Sequence, residues 1–426
     1  MSAAESAAAG TGRVRAWWVW CLATTFVVYL FSFQTGYAIV NPSVQQEVGL
    51  SGLQVGTIAA TYTWVLAILQ FFGGALLDRL GSRKVLVPAV ALVTLGVFVF
   101  ANATSYPALL LSQVVLAAGA CTGFVGAGYV GGQWFGMARF SFMFGLVQFA
   151  ASLSSAFTQN LIDVSLRQLG WRELFNGVGV FGVGLFVLGA IFIRNPRPVE
   201  GGESEGSGAF LLSVVRAMGE VARIPHVWIA SLGGACAFGS MLALGVVWGP
   251  KLLMVRGIEQ STANLGASML WLGLAAGCLV VPRWSDTIGR RKLPIIAGAV
   301  VQLAALLALL FASSIGAGLG MTLCFLFGAA NAVHMLAFST AADVVAPSRI
   351  GTSAAIVNGL MFILGGVLIA RPAVLGSRAI ERGIEAGTLE LAQRAGRPLL
   401  VALAVALAVA ALMKETHPKS RSHGAA

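Results

Sequence analysis

Residues 85–103 read VLVPAVALVTLGVFVFANA, an apolar run without a charged side chain, and runs of this kind recur along the chain. About 20 continuous apolar residues is the length of a helix across a bilayer, whereas a barrel strand alternates over about 10. In hydrocarbon each backbone N–H and C=O must find its partner within the chain, which leaves the helix for such runs. The rest of the chain cannot offset this. Of 426 residues, 58% are hydrophobic and 10% are charged, against about a quarter charged in soluble proteins. The runs fall at 17–40, 53–77, 85–103, 107–135, 140–163, 174–193, 227–249, 265–281, 293–313, 317–343, 350–370 and 398–413. The expected fold class is an all-α membrane protein, with twelve transmembrane helices in two six-helix halves.

Charge sets the expected orientation. The net charge of +11 sits in short loops between apolar runs, which argues for topology and against a nucleic-acid partner. With both termini on the cytoplasmic side, 18 of the 27 Lys and Arg fall inside and nine outside, the asymmetry of the positive-inside rule. The expected divisions are a cytoplasmic tail 1–16, a first half 17–193, a cytoplasmic linker 194–225 with a surface helix over 209–223, a second half 226–413 and a cytoplasmic tail 414–426. The first apolar run is too long for a signal-peptide core and reads as the first span. The five cysteines all lie within spans, with no CxxC pair, so neither a disulfide framework nor a metal site is expected.

One turn occurs twice. Gly74, Asp78, Arg79, Gly81, Arg83 and Lys84 connect the second and third runs, and Asp286, Gly289, Arg290 and Arg291 connect the eighth and ninth. This layout resembles the major facilitator superfamily of secondary transporters, over Trp17 to Met413. The first turn looks like that family's GxxxDRxGRK signature, with Ser82 where a basic residue is usual; the second copy departs at Pro282 and Thr287. Gly132-Gln133-Trp134-Phe135 with Arg139 resembles the WFxxxR entry to helix 5 in organic-anion branches. Asp343 to Pro347, with Gly351, Thr352, Asn358 and Gly359, resembles the family's helix 10–11 turn, and Lys414-Glu415-Thr416-His417 the end of helix 12 in bacterial members. Gln113 stands where proton-coupled members often carry Arg, and the fifth run lacks the Gly-Pro motif of antiporters. The resemblance implies the major facilitator fold, alternating access about a central cavity, and Asp78 as a latch of the outward-open state. The latch set is then Gly74, Asp78, Arg79, Gly81, Arg83, Asp286, Gly289 and Arg290. Physically, Asp78 can accept hydrogen bonds from Arg79, Arg83 and Lys84 or face the positive N-terminus of the eleventh run; the rival reading is a set of solvated loop charges that fix topology.

Inside the spans, Asp and Glu lie only toward the ends. A cation carrier would want a central carboxylate, so an anionic or polar solute is the better expectation. His334, with Asn331 one turn away, can bind an anion when protonated or relay a proton; a histidine bonded quietly between helices is the alternative. Gln148, Ser152, Ser155 and Gln159 form a polar stripe on the fifth run, which lines a cavity or joins helices. Tyr29, Phe33 and Tyr37, with Gln34 beside them, make an aromatic wall or plain packing. Gln113, Trp271, Asn358 and Arg371 complete the candidate cavity, Arg371 as an attractor of anions.

The expected function is gradient-driven transport of a small carboxylate or amino-acid-like solute, since no GxxxxGK[ST] loop is present. Efflux, transport of a metal chelate and a transporter-like receptor are the alternatives. No enzyme constellation and no cofactor site is read. The expected partners are the solute, a co-transported proton as a candidate, and the bilayer, with the monomer as working unit. A bacterial inner membrane is the expected location.

Overall fold

The computed structural model describes residues 3–166, 168–196 and 207–422. Among them every regular element is helical. The stretch after Ser51 shows how span and turn arise together. Ser51 caps α2 (Gly52–Ala101): its Oγ accepts from Gln54 N–H while Gln54 Oε1 accepts from Ser51 N–H, at 3.3 and 2.8 Å. A straight helix of this length would reach about 75 Å, over twice the hydrocarbon thickness of roughly 30 Å. It breaks at Gly81, where φ is 75° and ψ 170°, a region that a side chain disfavours. Two spans result. Among the described residues ten helices are long and apolar enough to cross a membrane, and one bent pair passes the same test together. With α2 divided at Gly81 and the bent pair taken as one, the count is twelve.

The chain divides into two compact units. The first holds Met1–Glu220 together with Ser348–Ala355, the second Val221–Pro347 and Ile356–Ala426. In the first unit α1 (Ala3–Val48) packs on α4 (Gly123–Phe135), α5 (Phe140–Leu166) and α6 (Trp171–Phe192), while α2 packs on α3 (Tyr106–Ala120) and α6. The sequence predicts a stop at Asn41-Pro42, yet α1 continues through Pro42 to Val48. A proline inside a helix removes one hydrogen bond, and the extra turns are anchored at their far end. Glu47 accepts from Trp171 Nε1 at 2.5 Å and Arg172 Nε at 2.7 Å. These bonds, that of Arg172 first, hold its carboxyl below the ordinary value. Arg172 also donates to the carbonyls of Ala101 and Ala103, each at 2.8 Å, closing the end of α2.

The linker helix α7 (Ser207–Ala222) buries Val214 and Ala217 against Ala75, flanked by Phe72 and Leu76. Leu212 and Val215 on its other side stay exposed. The helix expected on a membrane surface thus has one face packed on the end of the first α2 arm.

In the second unit α8 (Pro225–Ala243) joins α9 (Gly249–Met254) through a π-helical turn, Leu244–Trp248. Next come α10 (Gln260–Ile288), α11 (Lys292–Phe311), α12 (Ala317–Asn331), α13 (Met335–Ala342), α14 (Ile350–Glu381, whose residues up to Ala355 belong to the first unit), α15 (Leu389–Ala395), α16 (Arg397–Leu412) and α17 (Pro418–Ser422). The closest pairings are α10 with α12, α11 with α12 and α16, and α8 with α16. Gly273 and Gly328 let α10 and α12 cross with backbone against backbone. Arg256 donates to Leu309 and Ala312 carbonyls at 2.6–3.2 Å. It closes the end of α11 as Arg172 closes α2.

Candidate functional site

The first turn is held by one carboxylate. Asp78 Oδ1 accepts from Gly351 N–H at 2.8 Å, and Oδ2 accepts from Thr352 N–H and Thr352 Oγ1, each at 2.7 Å. The donors are the free N–H groups of the first turn of α14, where the helix dipole also favours negative charge. A glycine pair makes the approach possible: a Cβ on Gly74 would run into the Gly351 carbonyl, and one on Gly351 would meet Gly74 O at 2.7 Å. Beside them Arg349 pairs with Glu220 of α7 at 2.8 Å. Ser82, at the position where the family prefers a basic residue, is buried and donates to Asn195 Oδ1 at 2.9 Å, which also accepts from Arg83 N–H at 3.2 Å. Arg83 Nη2 reaches Ala190 O at 3.4 Å. Arg79 is half-buried next to Asp78.

The second turn is built differently. Asp286 Oδ1 accepts from Arg291 Nη1 at 2.6 Å, five residues along the same turn. Arg291 is only 5% exposed and also reaches Asp343 Oδ2 through Nε at 3.3 Å and Ser285 Oγ through Nη1 at 3.1 Å. The tail after α16 folds onto this hub. Glu415 accepts from the backbone N–H of Arg291 at 2.8 Å and of Lys292 at 3.1 Å. Thr416 Oγ1 donates to Asp343 at 3.2 Å, and His417 Nε2 lies 3.8 Å from Asp286. Gly289 ends α10 in the left-handed region, at φ 65° and ψ 32°, close under Lys419. Arg290 is exposed. Burial works against charge on Glu415, but the N–H donors of Arg291, His417, Lys292 and Thr416 outweigh it and hold its carboxyl low. Burial raises Asp343, with Arg291 opposing. His417 is lowered, by burial first and by Arg291 next.

The candidate cavity residues of the first unit separate into two groups. Tyr29, Phe33 and Tyr37 face inward. Phe33 meets Phe100 and Phe175 edge-on at 5.6 and 5.4 Å, Tyr37 meets Phe100 at 5.6 Å, and the Tyr29 hydroxyl sits over Gly182. This face of α1 is packing within the unit, as large rings at helical spacing favour. Gln113 is buried, with Nε2 3.3 Å from Ser112 Oγ, and Gln148 donates to Ser152 Oγ at 3.0 Å, both buried. Ser155 donates to Ala151 O at 3.1 Å. The side chain of Gln159 lies outside the described residues. Half-buried polar groups gather on the neighbouring face instead. Ser32 Oγ lies 3.0 Å from Ser154 Oγ and 3.1 Å from Thr158 Oγ1, and Gln34 hydrogen-bonds Tyr62. The sequence reading passed over Ser32, Ser154 and Thr158, because a hydroxyl on one helix does not announce its partner on another.

In the second unit Asn331 is buried and donates through Nδ2 to Ala237 O at 2.8 Å. His334 Nδ1 bonds Asn331 O at 2.7 Å, and its ring lies 4.7 Å from that of Phe238. The void beside it measures about 10 Å³, room for one water at most. In this structure His334 therefore bonds its own helix and packs on Phe238, the geometry of the interhelical alternative. Trp271 packs over Gly245, where an added Cβ would come within 3.1 Å of its Nε1. Asn358 is buried with Nδ2 unpartnered, and Arg371 is exposed.

Known proteins with this arrangement fall in one group. "Probable sulfoacetate transporter SauU" of Cupriavidus necator is 26% identical over 170 residues, 40% of this chain and 39% of that one. "Probable L-galactonate transporter" of Escherichia coli is 24% identical over 167 residues, 39% and 37% of the two chains. "Quinolone resistance protein NorA" of Staphylococcus aureus is 25% identical over 179 residues, 40% and 44%. The matched stretch therefore spans about two-fifths of each relative. Among solved structures, FucP, a major facilitator transporter, in its outward conformation superposes with a TM-score of 0.68 at 18% identity, covering 92% of this chain and 97% of that one. The human organic anion transporter MFSD10 gives 0.73 at 15% identity, covering 94% and 99%. These likenesses fix the fold. A sequence model of the Major Facilitator Superfamily matches residues 21–370, and with the duplicated acidic turn and the twelve spans in place, the chain belongs to that family.

Proposed function

We propose that the protein is a secondary transporter that moves a small anionic or polar solute by alternating access, driven by a solute or proton gradient. The observation that carries this reading is the chemistry of the span interiors. Their polar groups are hydroxyls, amides, phenols and one imidazole, as in the Ser32–Ser154–Thr158 cluster and the Gln34–Tyr62 pair, while carboxylates keep to the span ends and turns. Neutral donors recognise carboxylate or sulfonate oxygens without repelling them, and an organic cation would look for a buried carboxylate. Relatives named for sulfoacetate and galactonate agree with an anion. Within this reading Asp78 acts as the latch: its three hydrogen bonds hold the first turn of α14 in one state of the cycle.

The test is a thermal-shift screen of the purified protein against carboxylates, sulfonates, sugar acids, amino acids and quinolones, followed by counterflow in proteoliposomes. A small organic anion should stabilise the protein and exchange across the membrane. Stabilisation by organic cations alone, or binding without counterflow, would overturn the proposal. Efflux is the second reading, favoured by the likeness to NorA; solute-loaded vesicles that empty along an imposed proton gradient would select it.

A further inference from the structure

The second unit contains a cavity of about 550 Å³, at the end remote from Arg291, among the turn Leu244–Trp248, α9, α11, α14, α15 and α16. Its volume falls within the roughly 300–1,000 Å³ of ligand sites. Two features open it. The π-helical turn Leu244–Trp248 displaces one wall from regular helix geometry, a break that is frequent at functional sites. On the opposite wall Gly376, Ala395 and Gly396 leave space that larger residues would fill.

The lining suits an apolar body with one negative end. Leu244, Leu306, Leu310 and Leu399 form the interior. The hydroxyls at its edge are already engaged: Ser377 donates to Ala373 O at 3.1 Å, and Thr388 donates to Glu385 O at 2.8 Å while accepting from Leu391 N–H at 3.3 Å. Lys251 is the one charged side chain in the lining among the described residues, and it is exposed, with Nζ 4.8 Å from the Trp248 ring centre. Trp248 is fixed by its Nε1–H to Ile369 O at 3.0 Å. A tryptophan and a lysine together at the end of a span mark the bilayer–water interface, where lysine reaches toward the headgroups. A polar solute needs several convergent hydrogen-bonding groups, and this cavity offers a single cation above hydrocarbon.

We propose that the cavity holds one acyl chain of an anionic phospholipid from the surrounding bilayer, with the lipid phosphate on Lys251. Depth and charge select this occupant: the chain-accepting volume lies directly below an interfacial cation. The site is separate from the polar cluster of the first unit, and its test needs no transported solute.

Native mass spectrometry of the full-length protein, titrated with phosphatidylglycerol or phosphatidylcholine of identical chains, reads the site. The wild type should bind phosphatidylglycerol at least fivefold more tightly. Lys251→Gln, a change at an exposed position, should abolish that preference by weakening phosphatidylglycerol more than phosphatidylcholine, since both carry the phosphate but only phosphatidylcholine offsets it with its own cation. Gly376→Leu should weaken both lipids at least fivefold; a Cβ there meets only the Ala395 Cβ at 3.9 Å, so the helix accepts it and the side chain fills the cavity. Ala392→Leu is a second filler, and thermal unfolding verifies that each variant is folded. Equal affinity for the two lipids in the wild type would overturn the proposal, as would an unaltered preference in Lys251→Gln or full binding in both folded fillers. Oleate binding with the same residue dependence, in place of phosphatidylglycerol, would also overturn it.

Discussion

Two turns of near-identical composition do opposite things with their acid. Asp78 reaches a segment more than 270 positions away in the chain and accepts three hydrogen bonds from the start of α14. Asp286 turns to Arg291 in its own loop, and that arginine is shared with Asp343 and roofed by the tail from Glu415 to His417. The difference comes from what stands opposite. Asp78 faces backbone N–H donors that no side chain caps, whereas Asp286 faces a buried guanidinium that needs carboxylates around it. The first turn is held by backbone and hydroxyl donors at the start of α14; the second is a joint of buried charge, a guanidinium between two carboxylates with the tail over it.

If this contrast holds, the largest effect on stability belongs to Arg291. Arg291→Ala strips the partner from two carboxylates and should cost about 3–5 kcal/mol, read as a lowered unfolding temperature in detergent; a near-wild-type melt would mean the hub is not a joint. Gly74→Ala comes next. The new Cβ is driven onto the backbone carbonyl of Gly351, so the cost should approach the upper end of about 1–3 kcal/mol for overpacking, with uptake of the identified solute reduced at least tenfold. Gly289→Ala should cost only about 1–2 kcal/mol for its left-handed conformation and spare uptake. A third comparison uses charge alone. Asp78→Asn should lower turnover about tenfold with the melt nearly unchanged, whereas Asp286→Asn should leave turnover within about twofold, since Arg291 retains Asp343. Equal effects in the two variants would erase the contrast.

Acidity should act on the second turn through its tail. Burial and Arg291 hold His417 below its ordinary value, so the docked tail favours neutral imidazole, while the free tail takes up a proton near pH 6.5. Docking is therefore complete above that pH and weakens as the pH falls below it. Glu415, also lowered, adds to the loss at lower pH. Asp343, which is raised, acts the other way, its share declining as pH rises through its folded value. Protection of the amides of residues 414–420 against hydrogen exchange, taken relative to the intrinsic rate at each pH, should fall between pH 7.5 and 5.5, and His417→Gln should flatten that change. The smallest effect is expected at the rim of the first turn. Arg349 and Glu220 are 24% and 49% exposed, so Arg349→Ala should cost under about 1 kcal/mol; a larger loss in the melt would give α7 a greater part in holding α14.

The spans were legible because burial in lipid writes itself into every residue of a run, and the turns because glycine and charge punctuate it. The continuation of α1 through Pro42 was not legible, since its cause is Glu47 meeting Trp171 and Arg172 far along the chain. Nor was the surface on which α7 rests. At the candidate site, Asp78 was expected to accept from its own Arg79, Arg83 and Lys84 or to face the N-terminus of the run at 350–370; the structure has it on Gly351 and Thr352 at that N-terminus, a choice between partners that the sequence left open. Beside the polar stripe on α5, the Ser32–Ser154–Thr158 cluster was not legible, because it forms only where α1 meets α5. For Tyr29, Phe33 and Tyr37 the spacing was right, but spacing is the same for packing and for a binding wall.

The sequence by itself determined the solvent, the helical class, the duplicated turn and the family, because each of these depends on composition and spacing along one segment. Tertiary structure decided which acid meets backbone and which meets arginine, and it set His334 against Phe238. It also decided where a π-helical turn leaves room beside Lys251. Those outcomes depend on distances between segments remote in the chain, where a shift of one helical turn changes the partner and leaves the pattern of residues unchanged.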